Sequence, residues 1–453
     1  MEERKKENRH VIVLPYPSQG HLNPLLQFAK CLAHKGLKVT LATTHYTVDS
    51  ICAANVGVEP ISDGFDQGGY AQSGNVEAFL NSFKANGSRT LSELVKKFQD
   101  TNDPVCCIVY DSFFPWALDV AKQHGIYGAA FFTNSVTVCS IYCHIHYGLI
   151  KLPVKLEDTP LLLRGQRSLN LCDLPTFLTS PESDTAYLAM KRNQFSNLTE
   201  ADCIFVNSFE ELEREEAKGI SDLWPAKLIG PMVPSAYLDG RIIGDTVYGS
   251  SLWKPLSEEC KEWVDKKQPG SVAYVSFGSM VSLTQKQMEE IAWGLKAIGF
   301  RFLWVVRESE RAKLPDGFME STKEQGLIVS WCNQLEILAH PAIGCFVTHC
   351  GWNSTLEGVC LGVPMVGMPQ WSDQITNAKF VEEIWGVGVW GKEDDGVVKK
   401  EEVMRCLKEV MEGERSDEIK KNAVKWRELA IKAVSQGGSS DKFINEFLQL
   451  LEQ

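Results

Sequence analysis

Short apolar runs alternate with amphipathic stretches along most of this chain, and that alternation constrains its fold more than any other feature. The stretch "HVIVLPYPSQGHLNPLLQFAKCLAHKGLKVTLATT" (residues 10–44) reads strand, loop, helix, strand. The strand is 10–14, Asn23 fits a helix cap with Pro24 at the first position, and Leu25, Leu26, Ala29, Leu32 and Ala33 give that helix an apolar face. Gly36 sits where the helix should stop, and "LKVTLATT" follows as a second strand. "PVCCIVYDSFFPWALDVAKQHGIYGAAFFT" (104–133) repeats the plan, with Asp111 at the end of its first strand. Alternation restarts at "SVAYVSFGS", which predicts strands at 272–277, 302–306, 327–330, 345–348 and 364–367. Helices are predicted at 284–297, 334–339, 354–361, 374–384, 400–411 and 416–434. Strands separated by helices pair in parallel with helices on both faces. At 453 residues the chain is too long for one core, so two doubly wound α/β domains facing across a cleft are expected. Their spans are 1–235 and 257–435, joined by a turn-rich linker at 236–256, while the Pro- and Leu-rich stretch 148–200 wraps the first domain.

A formal net charge of -12 excludes a general affinity for nucleic acid or anionic membrane, but leaves room for a local site for a phosphorylated small molecule. The polar start "MEERKKENRH" and the absence of any run of about 20 apolar residues predict a soluble, cytoplasmic protein. The 14 cysteines lie scattered in apolar segments and read as reduced thiols. Cys139, Cys143 and His146 share one helical face in "CSIYCHIH", but zinc ligands come in pairs from separate elements, so this is a core or pocket-lining helix and no metal is expected. "GVGVWG" (386–391) fits a dinucleotide-binding glycine pattern literally, yet it follows a helical pattern and precedes "KEDDGVV" rather than a helix.

In open parallel sheets ligands bind beyond the carboxyl ends of the strands. His21 follows the first strand and Asp111 ends another, so both project from one sheet edge. A carboxylate beside an imidazole fixes its tautomer and makes it a better base, although a loop closure and a helix cap would use the same residues. "CFVTHCGWNSTLEG" (345–358) is a buried strand, a tight turn and a helix start, where unpaired N–H groups favour an anion. His349, Asn353 and Ser354 add donors there, enough to hold a diphosphate. Spacing alone makes Glu357 the partner of Ser354 in a capping box. Ser18 and Ser279 lack the pattern of a hydrolase nucleophile.

The dense run "WCNQLEILAHPAIGCFVTHCGWNSTLEGVCLGVPMVGMPQWSDQ" (331–374) resembles the plant secondary product glycosyltransferase box, the signature of the plant family-1 UDP-glycosyltransferases. "PYPSQGHLNP", "YDSFFPWALDVA" and "VSFGS" are similar to other segments of that family. "PSAYLD", "SLWKP" and "WCNQLEILAH" look most like its branch acting on small carboxylic acids, phenols, thiohydroximates, terpenoids and steroids. The resemblance implies the GT-B fold, with a C-terminal helix (436–453) crossing back to the first domain. It implies His21 as catalytic base and Asp111 as its partner. It implies a UDP-glucose co-substrate, with no permanently bound cofactor and no metal. Trp331 would stack on uracil, the Cys332 backbone would bond the base, Gln334 would lie near the nucleoside, and Glu357 would hold the ribose, against the capping-box reading. Ser279, His349, Trp352, Asn353 and Ser354 would contact the diphosphate. Asp373 and Gln374 would bond glucose hydroxyls, a terminal Gln being the mark of glucose over galactose. Tyr16, Phe113, Phe114, Phe132, Tyr142, His146 and Met280 are the candidate walls for a lipophilic acceptor. The implied product is a β-glucoside or glucose ester; nothing in the sequence speaks to oligomeric state, and a monomer is the default. Another UDP-sugar, or a silent binder of lipophiles or nucleotides, are the alternatives, and an intact His21–Asp111 pair speaks against silence.

Overall fold

The computed structural model describes residues 9–180, 182, 185–250 and 256–453. The polar start up to residue 8 and the "SLWKP" segment (251–255) lie outside the described residues. The chain divides into two compact units: Met1–Leu171, Phe177–Leu252 and Lys432–Gln453 in one, Cys172–Thr176 and Trp253–Ile431 in the other. Among the described residues no helix is long and apolar enough to cross a membrane.

Seven strands build the first sheet: β1 (His10–Leu14), β2 (Lys38–Thr44), β3 (Gly57–Ile61), β4 (Val105–Asp111), β5 (Tyr127–Phe132), β6 (Cys203–Val206) and β7 (Lys227–Leu228). All pair in parallel in the order β3-β2-β1-β4-β5-β6-β7. A sheet covered on both faces needs strands apolar throughout, which is why "VIVL" and "VCCIVY" do not alternate. The chain winds outward from β1 and then resumes at β4 on its other side. This reversal opens a crevice at the carboxyl ends of those two strands.

The first helix spans Gln19–His34 and starts earlier than the sequence predicts. Ser18 is its cap, with the Leu22 N–H donating to the Ser18 carbonyl at 2.8 Å. Pro24 therefore lies inside the helix, where it forgoes the bond to the carbonyl four residues back and crowds that carbonyl with its ring. Asn23 caps nothing; its Oδ1 accepts from the Ser250 hydroxyl at 2.5 Å. Leu22, Leu25, Leu26, Phe28 and Leu32 join the core over β1, and the C-terminal helix Ser439–Leu450 adds Ile444 and Phe447 to it. Part of the stretch expected as linker packs on this unit instead. Buried Asp245 accepts from Gln27 and from the Ser235 N–H, each at 2.7 Å, and pairs with Lys30. An ion pair taken out of water has to be well bonded, and this one is.

The second sheet has six parallel strands: β8 (Val272–Ser276), β9 (Arg301–Val305), β10 (Gly326–Val329), β11 (Ile343–Thr348), β12 (Met365–Gly367) and β13 (Gly388–Trp390). Their order, β10-β9-β8-β11-β12-β13, repeats the reversal, now between β8 and β11. β13 lies inside "GVGVWG" and was not predicted, because three residues are too few to show a period. Gly388 is required there, since a Cβ would strike the Met365 carbonyl.

Candidate active site

Asp111 ends β4 and His21 stands on the first turn after β1, so both face the crevice of the first sheet. His21 Nδ1 lies 2.7 Å from Asp111 Oδ2 and 3.1 Å from Thr133 Oγ1. An ionised carboxylate can only accept, so the bond places a proton on Nδ1, and in the neutral ring the acceptor lone pair is then on Nε2. Asp111 Oδ2 also accepts from the Tyr16 N–H at 3.3 Å, and Oδ1 from the Phe113 N–H at 3.1 Å. The carboxylate side chain is 0% exposed and the imidazole 16%. The pair is thus a buried, fully bonded anion holding a ring whose far edge reaches the surface. Thr133 is a contact that sequence reading missed; only its place at the end of the next strand hinted at it.

Rings surround this imidazole. Phe113 lies 4.6 Å from it and Tyr16 5.4 Å, centroid to centroid. Lys191, also missed, sets its ammonium 4.9 Å over the Phe113 ring. Among the other candidate walls, Phe114 lies behind these rings, against Tyr16 at 5.6 Å. Phe114 is closed in by Phe83 and Trp116, and Phe132 by Phe195 and Trp224. With Tyr142 they have essentially no exposed surface. His146 is partly exposed and packs on Tyr147, while Met280 is exposed and belongs to the second unit. Cys139 and Cys143 are buried in the helix Val136–His146, and no metal-like cluster forms among the described residues.

In the second unit the same topology gathers the remaining candidates. β8 runs into Gly278 and Ser279, and β11 into His349, Cys350 and Gly351, which caps the helix Trp352–Leu361. Gly278 has φ +71, and a Cβ on it or on Gly351 would collide with the His349 ring, so that ring is slotted between two glycine backbones. Cys350 is held at φ +61, with its N–H donating to Thr348 Oγ1 at 3.1 Å. His349 Nδ1 is buried with no hydrogen-bond partner among the described residues, and burial pushes the imidazole down to about 4 against the opposing pull of Asp373 and of a bond from the ring to the Ser276 backbone. Arg307 donates to the Ser279 and Val281 carbonyls and fixes that turn, a support not evident from sequence.

Glu357 does not close a capping box. The helix begins at Trp352, so Ser354 lies inside it, and no side chain caps it. Glu357 Oε2 instead accepts from Gln334 at 2.6 Å, and the Gln334 amide also reaches Ser354 Oγ at 3.1 Å. Cys332 is buried beside the Tyr274 hydroxyl (3.5 Å), and the carbonyl of Trp331 accepts from the Leu256 N–H at 2.9 Å. Asp373 Oδ2 accepts from Asn377 at 2.8 Å, and Asn377 ties it to the Cys350 carbonyl at 3.0 Å. Gln374 Oε1 accepts from the Gln370 and Trp371 N–H groups at 2.9 and 3.2 Å, so its amide NH₂ is not used in holding this turn. An acceptor on Asp373 stands beside a donor on Gln374, a pairing that suits vicinal hydroxyls.

A family model described as UDP-glucoronosyl and UDP-glucosyl transferase matches residues 193–430, and a glycosyltransferase N-terminal domain model matches 7–60. The chain is 54% identical to UDP-glycosyltransferase 74B1 of Arabidopsis thaliana over 98% of each chain. It is 47% identical to the flavonol 7-O-beta-glucosyltransferase UGT74F1 of the same plant over 99% of each. Its structure is similar to Os79 from O. sativa in complex with UDP, with a TM-score of 0.93 and 41% identity, covering 97% of this chain and 100% of that one.

Proposed function

The chain belongs to the plant family-1 UDP-glycosyltransferases, with their GT-B fold, and on that premise we propose that it transfers glucose from UDP-glucose to small lipophilic acceptors with inversion, forming β-glucosides or glucose esters. The observation that carries this reading is the 2.7 Å bond from His21 Nδ1 to the buried Asp111 carboxylate. It leaves Nε2 free to take the proton of an acceptor hydroxyl while that oxygen attacks the anomeric carbon. The C–O bond to UDP breaks as the new one forms, and UDP carries away the electron pair. Asp111 balances the positive charge that the imidazole gains. A single displacement of an α-linked donor yields a β-product.

On the donor side Trp331 stacks on uracil with the Cys332 backbone on its edge, and Glu357 with Gln334 takes the ribose and nucleoside. Ser279, His349 and the Trp352–Asn353–Ser354 helix start meet the diphosphate, supported by the partial positive charge of the helix and by the orphaned His349 Nδ1. These groups can neutralise a departing diphosphate, so activity is expected to survive a chelator. Asp373 and Gln374 take sugar hydroxyls. The rings of Tyr16 and Phe113 suit a flat or bulky apolar acceptor, in keeping with a relative named for a flavonol. The test is mass spectrometry of products after incubation with UDP-glucose, with and without EDTA. The panel holds a benzoic acid, a flavonol, a triterpenoid and a hydroxysteroid. One added hexose, unaffected by chelator, is expected on at least one acceptor; no binding of UDP-glucose would overturn the reading.

A further inference from the structure

For five residues, Cys172–Thr176, the chain belongs to the second unit, although it lies in the first through Leu171 and again from Phe177. Within the second unit this short crossing is bonded to the loop that carries Asp373 and Gln374. Thr176 and Ser372 hold each other reciprocally. The Ser372 N–H donates to Thr176 Oγ1 at 2.9 Å, and the Thr176 N–H donates to the Ser372 carbonyl at 3.3 Å. One turn on, the Thr376 hydroxyl donates to the Asp173 carbonyl at 2.7 Å. Lys379, at the end of the helix Gln374–Lys379 that also carries Thr376, pairs with the Asp173 carboxylate at 2.9 Å, and both side chains are buried.

Ser372 sits at φ +59, a left-handed conformation that a residue with a Cβ adopts only when its surroundings hold it there. Other supports of the loop include the bonds from Gln374 to Gln370 and Trp371 and from Asn377 to Asp373 and Cys350. None of these touches the Ser372 backbone. The hydroxyl and amide of Thr176 do.

We propose that Thr176, anchored by Asp173, is a positioning residue for the sugar-binding loop: it fixes the backbone of Ser372 so that Asp373 and Gln374 meet the hydroxyls of the donor sugar. This rests on the proposed role of Asp373 and Gln374 in binding the sugar of UDP-glucose. The nucleotide is held by other residues, Trp331, Glu357 and the helix start at Trp352. Affinity for UDP and affinity for UDP-glucose therefore separate when Thr176 is changed, which a general loss of structure would not produce.

The experiment is calorimetric titration of the full chain with UDP and with UDP-glucose, using wild type, Thr176→Val and Thr176→Ser. Valine keeps the branched shape and removes the Oγ1 acceptor; serine restores it. The expected result is a loss of about fivefold or more in UDP-glucose affinity for Thr176→Val, the factor that one neutral hydrogen bond contributes. UDP affinity should be unchanged, and Thr176→Ser should return to the wild-type ratio. If Thr176→Val weakens both ligands equally, or neither, the positioning role is wrong while the transferase reading stands. If wild type fails to bind UDP-glucose, both fall together.

Discussion

Replacing Asp111 by asparagine removes one charge and almost no volume, so its effect is set by the three N–H groups that the carboxylate accepts: His21 Nδ1 and Tyr16 on Oδ2, and Phe113 on Oδ1. An asparagine has a single carbonyl oxygen. If that oxygen faces His21, the amide NH₂ confronts the buried Phe113 N–H, and leaving such a donor unpaired costs about 1–3 kcal/mol. If the amide turns over, its NH₂ donates to His21 Nδ1, the imidazole proton moves to Nε2, and the base is lost. Neither arrangement leaves an anion to balance the imidazolium. In another His–Asp pair the same exchange lowers kcat about 10⁴-fold through the wrong tautomer. For Asp111→Asn we expect kcat on a phenol or alcohol to fall about 10³- to 10⁴-fold. UDP affinity should be unchanged, because the residues proposed to hold the donor, Trp331 to Gln374, lie in the other unit. Initial rates by chromatography, with UDP titration as the control for folding, measure both. A variant that keeps UDP binding and more than about a tenth of wild-type kcat on an alcohol would refute the role given to this carboxylate.

His21→Ala should abolish β-glucoside formation on alcohols, while a carboxylic acid acceptor, already ionised near neutral pH, should retain far more activity. Equal losses on the two acceptor types, compared at saturating UDP-glucose, would mean that His21 does not act as a base. His349 is expected to make the protein acid-sensitive. Its imidazole is pushed from 6.5 to about 4 by burial, so between those values the unfolded chain binds the extra proton. That contribution to stability is complete above about pH 6.5 and declines as pH falls through 4, by about 3 kcal/mol in all. Denaturant unfolding from pH 7 to 4 should show a shallower decline for His349→Gln than for wild type; parallel curves would contradict the assignment.

The parallel α/β plan was legible because apolar runs of "VIVL" and "VCCIVY" type, parted by amphipathic stretches, admit few other arrangements. Two errors at helix starts share one cause. Asn23-Pro24 and Ser354-Thr-Leu-Glu357 both carry cap signatures, yet tertiary contacts draw the helices to begin at Gln19 and Trp352. The capping residues are thereby freed for other bonds, Asn23 to Ser250 and Glu357 to Gln334. β13 was hidden by its shortness. Of the aromatic candidates around His21, only the fold could tell which rings stand beside the imidazole, Phe113 and Tyr16, and which are packed away with essentially no exposed surface, Phe114, Phe132 and Tyr142. Residues that act by bonding distant backbone, such as Arg307, Asn377 and Thr176, leave no local pattern, because their partners are set by the fold.

The most direct test of the account is the anomeric configuration of the first product that the wild-type protein forms from UDP-glucose and an alcohol or phenol acceptor, read by proton NMR. A base at His21 and one displacement at the anomeric carbon predict a β-linked glucoside. An α-linked product, or free glucose with no glucosylated acceptor, would contradict the His21–Asp111 mechanism.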